Sequence, residues 1–316
     1  MGPARFWVGT KCRRLGIVLA IALTLALVAC GGGTSGTPSP QPTATAAGPG
    51  AASPTGGADA TAAPSPSPSA TAVGSATPGD ERQVRVYFLR DAKIATASRA
   101  IPATQRVATE AIEALLAGPT EAERAAGMTT AIPEGTRLLG VTIDAGLATV
   151  NLSREFESGD GSVSLAARLA QVVYTLTQFP TVEQVQFQLE GEPVDSFGDG
   201  VLLDHPVSRA DYEDLTPAIL VETPVVGDTV SPPLHVAGTA NTFEATFMIE
   251  ILDGAGNQVA EQVVTATAGS GTRGTFAVDI PFSVAKPGPG AVVAYELSAK
   301  DGSRINEVEI PVTLQP

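Results

Sequence analysis

The chain has 316 residues, of which 43% are apolar, and its formal net charge is -14 at pH 7. This charge disfavours non-specific binding to nucleic acid and anionic lipid headgroups, whereas the apolar fraction is sufficient for buried cores. The two cysteines, Cys12 and Cys30, and the two histidines, His205 and His235, provide little material for disulfides, zinc sites or thiol and imidazole chemistry.

Residues 1–29 have the composition of a secretory signal peptide. Four basic residues lie within residues 5–14, and an uninterrupted apolar run of about 15 residues then extends to Ala29. This run is shorter than the roughly 20 residues that a membrane-spanning helix needs. The sequence therefore predicts export, with the folded part on the extracytoplasmic side of the cell membrane.

The segment Leu27-Val28-Ala29-Cys30 resembles the lipobox of bacterial lipoproteins. The resemblance implies that the Cys30 thiol receives a diacylglyceryl group and that Cys30 becomes the first residue of the mature chain. Two acyl chains hold a protein stably to a bilayer, whereas one does so only marginally. We therefore expect a lipid anchor at Cys30. The alternative is an ordinary cleaved signal peptide followed by an incidental cysteine.

Residues 31–79 consist almost entirely of Gly, Ser, Thr, Pro and Ala, and Asp59 is their single charged residue. Without a periodic apolar face, such a segment cannot offset its ordering entropy. Its reach is about 40 Å as a coil and about 150 Å as extended polyproline II. The composition predicts a lipid-anchored disordered linker over residues 30–79. The alternative is a segment that becomes ordered on a partner.

A mixed pattern of strands and helices follows over residues 80–215. The predicted elements, in order, are a strand at 84–89, a helix at 105–117, a short helix from the Thr120 capping box to Gly127, a hairpin at 138–152, a helix at 165–179 and a strand at 184–190. The order β-α-β-β-α-β predicts an α+β sandwich with helices on one face of a sheet.

Strand signals alone continue over residues 216–316. Apolar and polar residues alternate at 243–251, 276–280, 293–297 and 310–314, and Asp253-Gly254 and Asp301-Gly302 have turn sequences. About seven short strands over roughly 100 residues are typical of an all-β immunoglobulin-like sandwich. Because this region contains no cysteine pair, packing alone must stabilise its core.

Two sets of motifs resemble known domain families. The first set resembles the GerMN domain of sporulation and spore-germination proteins: Val86-Tyr87-Phe88, Ala114-Leu115-Leu116-Ala117-Gly118-Pro119-Thr120, Glu123, Thr130-Ala131-Ile132-Pro133, Ala148-Thr149-Val150-Asn151-Leu152-Ser153 and Val173-Tyr174-Thr175-Leu176-Thr177-Gln178-Phe179-Pro180. The second set is similar to the immunoglobulin-like domain of bacterial spore germination: Pro232-Pro233-Leu234, Gly238-Thr239-Ala240, Phe243-Glu244-Ala245, Gly274-Thr275-Phe276 and Asp301-Gly302-Ser303. The resemblance implies an envelope location and a role in sporulation or germination, and it brings no catalytic residue.

Three other motifs have simpler structural interpretations. Gly118-Pro119-Thr120 is predicted to end one helix and cap the next, rather than to form a functional loop. The segment from Gly269 to Gly274 matches G-x-G-x-x-G, but it lies between predicted strands, which favours a flexible hairpin over a dinucleotide site. The residues Tyr174, Thr175, Leu176, Gln178 and Phe179 are predicted to be core, with a binding groove as the alternative.

Carboxylates are concentrated near the predicted domain junction. They are Asp195, Asp199, Asp204, Asp211, Glu213 and Asp214, with His205 among them. Their spacing does not match an EF-hand loop, so a solvated junction is predicted instead of a metal site. His235 lies in a predicted strand and is expected to be a satisfied or surface histidine.

Two functions remain open at this stage. The first is a non-enzymatic, lipid-anchored envelope protein that binds another protein or a cell-wall polymer, with no cofactor, metal or nucleic acid. The second is an extracytoplasmic hydrolase, or a small-ligand or cation-binding receptor, that uses junction carboxylates and a cleft near Asp204 and His205. The sequence contains no G-x-S-x-G, S-x-x-K or H-E-x-x-H motif, which favours the first function.

Overall fold

The structure is a computed structural model that describes residues 81–159, 161–197 and 201–316. The predicted signal peptide at 1–29, the lipidation site Cys30, the predicted linker at 30–79 and the carboxylate of Asp199 lie outside these residues. Among the residues described, no helix combines the length and the apolar character that a membrane crossing requires.

The first domain is an α+β structure. Its elements are β1 (Glu81–Arg90), β2 (Lys93–Pro102), α1 (Val107–Leu116), α2 (Glu121–Ala125), β3 (Leu138–Asp144), β4 (Gly146–Leu152), α3 (Ser162–Leu176), β5 (Val182–Leu189), β6 (Glu192–Pro193), β7 (Ser196–Phe197) and β8 (Val201–Leu202). One sheet has the order β3-β4-β5-β6, in which β4 and β5 are parallel, and β1 and β2 form a separate antiparallel hairpin. Helix α3 contacts β1, α1 and β5, so one core joins the hairpin to the sheet.

Strand β2 has no counterpart in the predicted element order. Four consecutive residues, Ile94, Ala95, Thr96 and Ala97, are buried, so the strand shows no alternation of apolar and polar positions. Its alanines also have low strand propensity. A strand covered on both faces loses the period-two signal on which the prediction depended. The fold class is confirmed, with this additional strand.

The predicted helix boundaries are set by local chemistry. Gly118 adopts φ +78° just beyond Ala117, the C-cap of α1, and Thr120 caps α2 in a reciprocal capping box with Glu123. The Glu123 carboxylate also accepts two hydrogen bonds from Arg99, at 2.6 and 2.7 Å. The segment Gly118-Pro119-Thr120 is therefore a helix stop followed by a helix cap, as predicted.

The second domain is a two-layer β-sandwich. Its strands are β9 (Ile219–Thr223), β10 (Thr229–Val230), β11 (Leu234–Ala240), β12 (Thr246–Asp253), β13 (Gln258–Thr265), β14 (Gly274–Ile280), β15 (Gly288–Leu297) and β16 (Arg304–Leu314). One sheet has the order β10-β16-β15-β12-β13 and the other has the order β14-β11-β9. Phe247 and Phe276 pack edge to face between the layers, with ring centroids 4.9 Å apart. The all-β prediction is confirmed.

One detail of the predicted strands was wrong. Phe243 and Ala245 do not belong to β12, because Glu244 and Ala245 have positive φ angles and interrupt the extended chain. In β15, Val293 and Tyr295 face away from the main core, which instead receives the side chains of Val292 and Ala294. Leu297 is exposed. Because apolar residues occupy both faces of β15, alternation alone could not identify the inner face.

The loop from Gly269 to Gly274 connects different sheets, because β13 belongs to the five-stranded sheet and β14 to the three-stranded one. The prediction of a simple hairpin was therefore wrong. A Cβ on Gly269 would come within 2.4 Å of the Ala245 nitrogen, and one on Gly274 within 2.2 Å of the Ala268 nitrogen. These glycines permit close backbone approaches, Gly269 to the segment that precedes β12 and Gly274 within its own loop.

We predict that Gly238→Ala destabilises the second domain by about 3 kcal/mol. A Cβ at this position would lie 2.0 Å from the Leu220 carbonyl oxygen, so β9 would have to move away from β11. The measurement is the free energy of unfolding in denaturant.

The matched control is Gly140→Ala in β3, where an added Cβ meets nothing within 4 Å. This change should be neutral or stabilise by about 0.5 kcal/mol. Equal effects of the two substitutions would show that the approach of β9 to β11 is not a tight constraint.

Candidate functional site

The most elaborate polar arrangement in the described structure lies where the two domains meet. Its centre is Arg209, in the 3₁₀ segment Arg209–Leu215 between the domains. The guanidinium donates to the Glu222 carboxylate at 2.9 Å and to the Tyr87 hydroxyl at 3.2 Å. It also donates to Thr177 Oγ1 at 2.8 Å and to the Tyr174 carbonyl at 3.2 Å. We call Tyr87, Tyr174, Arg209 and Glu222 the junction cluster.

Aromatic contacts reinforce the junction cluster. The Arg209 guanidinium carbon lies 4.6 Å from the ring centroid of Tyr174 and 5.2 Å from that of Tyr87. Both tyrosines are fully buried, and the Tyr87 hydroxyl donates to Glu222. A guanidinium above two rings gains cation–π attraction in addition to its hydrogen bonds. The cluster therefore links β1 and α3 of the first domain to β9 of the second.

The protonation states in the cluster follow from its surroundings. Burial raises the pKa of the Tyr87 phenol above its ordinary value, so the hydroxyl stays protonated and can donate to Glu222. Burial alone would lower the pKa of Arg209, but Tyr87 and Glu222 raise it, and the net change is upward. Arg209 therefore stays a cation in contact with Glu222 and both tyrosines.

Further contacts between the domains surround the cluster. The Arg85 side chain donates to the Glu222 carbonyl and to Thr223 Oγ1, both at 3.0 Å. Arg273 forms two hydrogen bonds with Glu213, at 2.9 and 3.0 Å, and a third with the Pro217 carbonyl at 2.8 Å. These contacts extend the interface on both sides of the junction cluster.

A cleft of about 510 Å³ opens beside the cluster, between β2 and the edge of the second domain. Aliphatic residues line its walls together with polar and charged residues in nearly equal number. The lining includes Lys93, Ile94, Thr96, Met128, Glu213, Asp214, Leu220, Val221, Val225, Arg273, Val308 and Ile310. Clefts at domain interfaces are frequent positions for small-molecule sites.

The carboxylates predicted at the junction do not converge on this cleft as a group. Asp204 and Asp211 contact His205, at 2.7 and 3.7 Å, on an exposed surface that does not line the cleft. Asp211 also caps its own 3₁₀ segment through Ser208. Neither Asp204 nor His205 lines the interdomain cleft, which therefore gives no support to the alternative function that would use a cleft near them.

The remaining carboxylates have separate surroundings. Asp195 is exposed, and Glu213 is held by Arg273, whose hydrogen bond is the main cause of a lowered Glu213 pKa. Asp214 lines the cleft and also accepts a hydrogen bond from Lys93 through its backbone carbonyl. Across the described residues, no group of three or more Asp, Glu, His or Cys side chains is arranged to hold a metal ion.

Two other sequence expectations are confirmed. His235 lies on the surface of β11, where its Nδ1 is 2.8 Å from Asp279. Tyr174, Thr175 and Leu176 are buried core residues of α3. The side-chain amide of Gln178 forms two hydrogen bonds with the backbone of Arg85 in β1.

Sequence reasoning missed Arg209 and Glu222 as partners. A signal was present, because Arg209 is the single Lys or Arg residue between Arg168 and Arg273. An isolated cation in an acidic stretch indicates a specific ion pair, although its partner is 13 residues away in a different domain.

The fold and this junction define a two-domain protein in which an α+β domain and an immunoglobulin-like sandwich are joined by buried polar contacts. The family model described as sporulation and spore germination matches residues 85–195. The model described as the immunoglobulin-like domain of bacterial spore germination matches residues 218–303. The chain therefore carries a GerMN domain followed by this immunoglobulin-like domain, as the motifs predicted. Neither family is a known enzyme family.

One named relative is similar over part of the chain. Lipoprotein LpqB from Thermobifida fusca is 32% identical over 129 residues, which are 40% of this chain and 20% of that protein. The match thus spans a fifth of the relative's own length.

Two solved structures from Bacillus subtilis are also similar. The first GerMN domain of the sporulation protein GerM is 22% identical with a TM-score of 0.34, covering 40% of this chain and 95% of that one. The tandem GerMN domains of GerM are 15% identical with a TM-score of 0.37, and the match covers 75% of this chain and 61% of that one. Neither likeness carries information about function.

We predict that Glu222→Gln lowers the free energy of unfolding by about 2 kcal/mol, because Arg209 and Tyr87 lose a charged hydrogen-bond partner. The matched control is Asp279→Asn, which removes an exposed carboxylate beside His235 and should cost less than about 0.5 kcal/mol. Denaturant unfolding measures both values.

Glu222→Gln should also increase cleavage between residues 215 and 217 in limited proteolysis, because this segment joins the domains. Unchanged stability and unchanged cleavage would mean that the charge of Glu222 does not contribute to the interface.

We further predict that Asp204→Asn lowers the pKa of His205. The Asp204 hydrogen bond is the main cause that raises this pKa in the folded chain. A raised folded pKa stabilises the fold below the ordinary value of about 6.5, and this stabilisation fades as pH rises through the raised value. The imidazole is exposed, so the measurement is its NMR titration, with Asp279→Asn as the control that leaves it unchanged.

Proposed function

We propose that this protein is a non-enzymatic, lipid-anchored protein of the bacterial envelope. In this proposal, residues 1–29 are a signal peptide, Cys30 carries the diacylglyceryl group, and residues 30–79 form a disordered tether. Residues 80–215 and 216–316 then form a two-domain module outside the membrane that binds an envelope protein or a cell-wall polymer, with a role in sporulation or germination.

The location rests on the N-terminal sequence and on one relative. The basic segment, the apolar run and the lipobox-like Leu27-Val28-Ala29-Cys30 occur in the order of a lipoprotein signal. The relative from Thermobifida fusca is named a lipoprotein, and the part of it that matches is similar to this chain at 32% identity. Both observations support an anchored protein.

The observation that best supports the binding role is the junction cluster. Arg209 uses four hydrogen bonds and two aromatic faces to hold both domains. Domain pairs with small polar interfaces usually move independently, whereas a network with its donors satisfied favours one orientation. A fixed orientation allows one partner to contact both domains at once, which suits an assembly module.

The carboxylates near Asp204 do not favour the alternative of a hydrolase. Asp204 and His205 are both exposed, with 73% and 60% of their side chains accessible. Acid–base catalysis by carboxylates depends on burial or charge pairs that separate their pKa values inside a cleft. The exposed pair lacks that environment, and the proposal therefore assigns no catalytic residue.

We predict that Cys30→Ala moves the protein from the membrane fraction to the soluble envelope or the medium, or leaves an uncleaved precursor without lipid. Cell fractionation and metabolic labelling with an alkyne fatty acid measure the two consequences. Cys12→Ala is the matched control, because this cysteine precedes the apolar run and should retain both anchoring and label. Lipid labelling of the Cys30→Ala chain would contradict the assignment.

Partner binding is tested by in-cell crosslinking and mass spectrometry on the full chain. The proposal expects one envelope protein or wall fragment to be captured by the anchored chain, with reduced capture by Glu222→Gln and unchanged capture by Asp279→Asn. Diffuse crosslinks that do not differ among these chains would overturn the assembly role.

A further inference from the structure

The outer edge of β1, on the side away from β2, is covered by other parts of the first domain. The backbone nitrogen and carbonyl of Arg85 both bond to the Gln178 side chain of the segment after α3. Leu89 exchanges two backbone hydrogen bonds with Thr129. Because these partners already occupy the backbone groups, a further strand cannot easily pair with β1.

Strand β3 has an edge without such a cover. It is the terminal strand of the sheet β3-β4-β5-β6, and within the described part of the chain the backbone hydrogen bonds of residues 138–144 all go to β4. Every residue of β3 is at least partly exposed, and the exposed fractions of Leu139 and Ile143 are 46% and 40%. An uncovered edge of this kind can pair with another strand.

The side chains along β3 also permit pairing. Residues 138–143 include neither a charged residue nor a proline, which are the usual means of blocking an edge. A bulge between Leu138 and Gly140 interrupts the strand only near its first end. In a chain of net charge -14, an uncharged edge is a place where two acidic molecules can approach without direct repulsion.

Opposite charges stand at the two ends of this edge. Arg137 directly precedes β3 and Asp144 ends it, and both residues are exposed. The hydrogen bond from Ser153 is the main cause that lowers the Glu155 pKa and Arg137 is the smallest, so Glu155 does not engage this cation strongly. An extended chain separates Arg137 from Asp144 by roughly 20 Å, so the two side chains cannot pair within one molecule.

We propose that β3 pairs antiparallel with β3 of a second copy of this chain, about a two-fold axis at Val141. This register places Leu139 of each copy opposite Ile143 of the other, so the two exposed apolar side chains cover each other. Beyond the bulge, Asp144 of each copy meets Arg137 of the other in two reciprocal ion pairs. Self-pairing goes beyond the proposed function and uses no residue of the junction cluster.

The small size of this contact determines its strength. An edge of seven residues buries less area than the roughly 1,200 Å² of the smallest standard interfaces. We therefore expect a weak dimer, with a dissociation constant on the order of 100 μM. The test must use concentrated protein and a readout that traps the paired state.

The test mixes two full-length chains, one with Gly140→Cys and one with Thr142→Cys, under mild oxidation. These positions lie directly opposite each other in the proposed register, at a spacing that a disulfide can bridge. An added Cβ at Gly140 meets nothing within 4 Å and Thr142 is exposed, so both changes should be tolerated. Mass spectrometry should find at least about tenfold more linkage between positions 140 and 142 than between two copies of either position.

Reversal of one charge tests the register independently. Asp144→Arg in both chains should lower the mixed linkage by about tenfold, because each attractive pair becomes repulsive. Adding Arg137→Asp should restore the linkage, since the two charges then exchange places across the two-fold axis. Glu192→Arg is the matched control, because it makes the same charge change on β6 at the opposite edge of the sheet and should leave linkage unaltered.

Three outcomes would overturn the inference. They are no linkage between copies, equal linkage among all combinations of the two positions, and a double substitution at Arg137 and Asp144 that fails to restore linkage. Crosslinks from β3 to an envelope protein in place of a second copy would also overturn self-pairing. Capture of an envelope partner does not require linkage between copies, so failure of self-pairing and failure of the assembly role can be distinguished.

Discussion

The placement of one cation, Arg209, governs how the two domains meet. Burying a guanidinium is unfavourable unless its donors find acceptors, and here they reach Glu222, Tyr87, Thr177 and the Tyr174 carbonyl. These acceptors belong to β1, α3 and β9, so any rotation between the domains would leave charged or polar groups unpaired. The free-energy cost of breaking such a set is larger than the gain from making it, because each orphaned group carries its own desolvation penalty. The network therefore contributes more to the choice of one domain orientation than to the net free energy of folding.

The same constraint shapes the cleft. Strand β2 is paired along its whole length with β1, and β9 is paired with β11 through the close approach at Gly238. Fixing β1 to β9 consequently fixes the distance between the walls of the cleft. Arg273 and Glu213, which bond to each other, both line this cleft.

Sequence reasoning succeeded where one face of an element is buried and failed where both faces are. The alternation around Phe187 predicted β5, and the glycine and capping signals at Gly118 and Thr120 predicted the ends of α1 and α2. Strand β2 was not predicted, because both of its sides are buried, and the sequence pattern assigns no inner face to β15, because apolar residues occupy both of its faces. The junction could not be derived either, since the pairing of Arg209 with Glu222 depends on tertiary placement. The dense carboxylates around His205 attracted a functional hypothesis, but density along the chain does not bring side chains into one cleft.

Under the proposed function, a long tether and a rigid head have complementary roles. A disordered linker lets the module search a volume of tens of ångströms while the two acyl chains keep it at the membrane. A partner that contacts both domains binds more tightly when their orientation is fixed beforehand. Otherwise the entropy lost in ordering the two domains reduces the free energy of binding. The junction cluster removes that cost before binding.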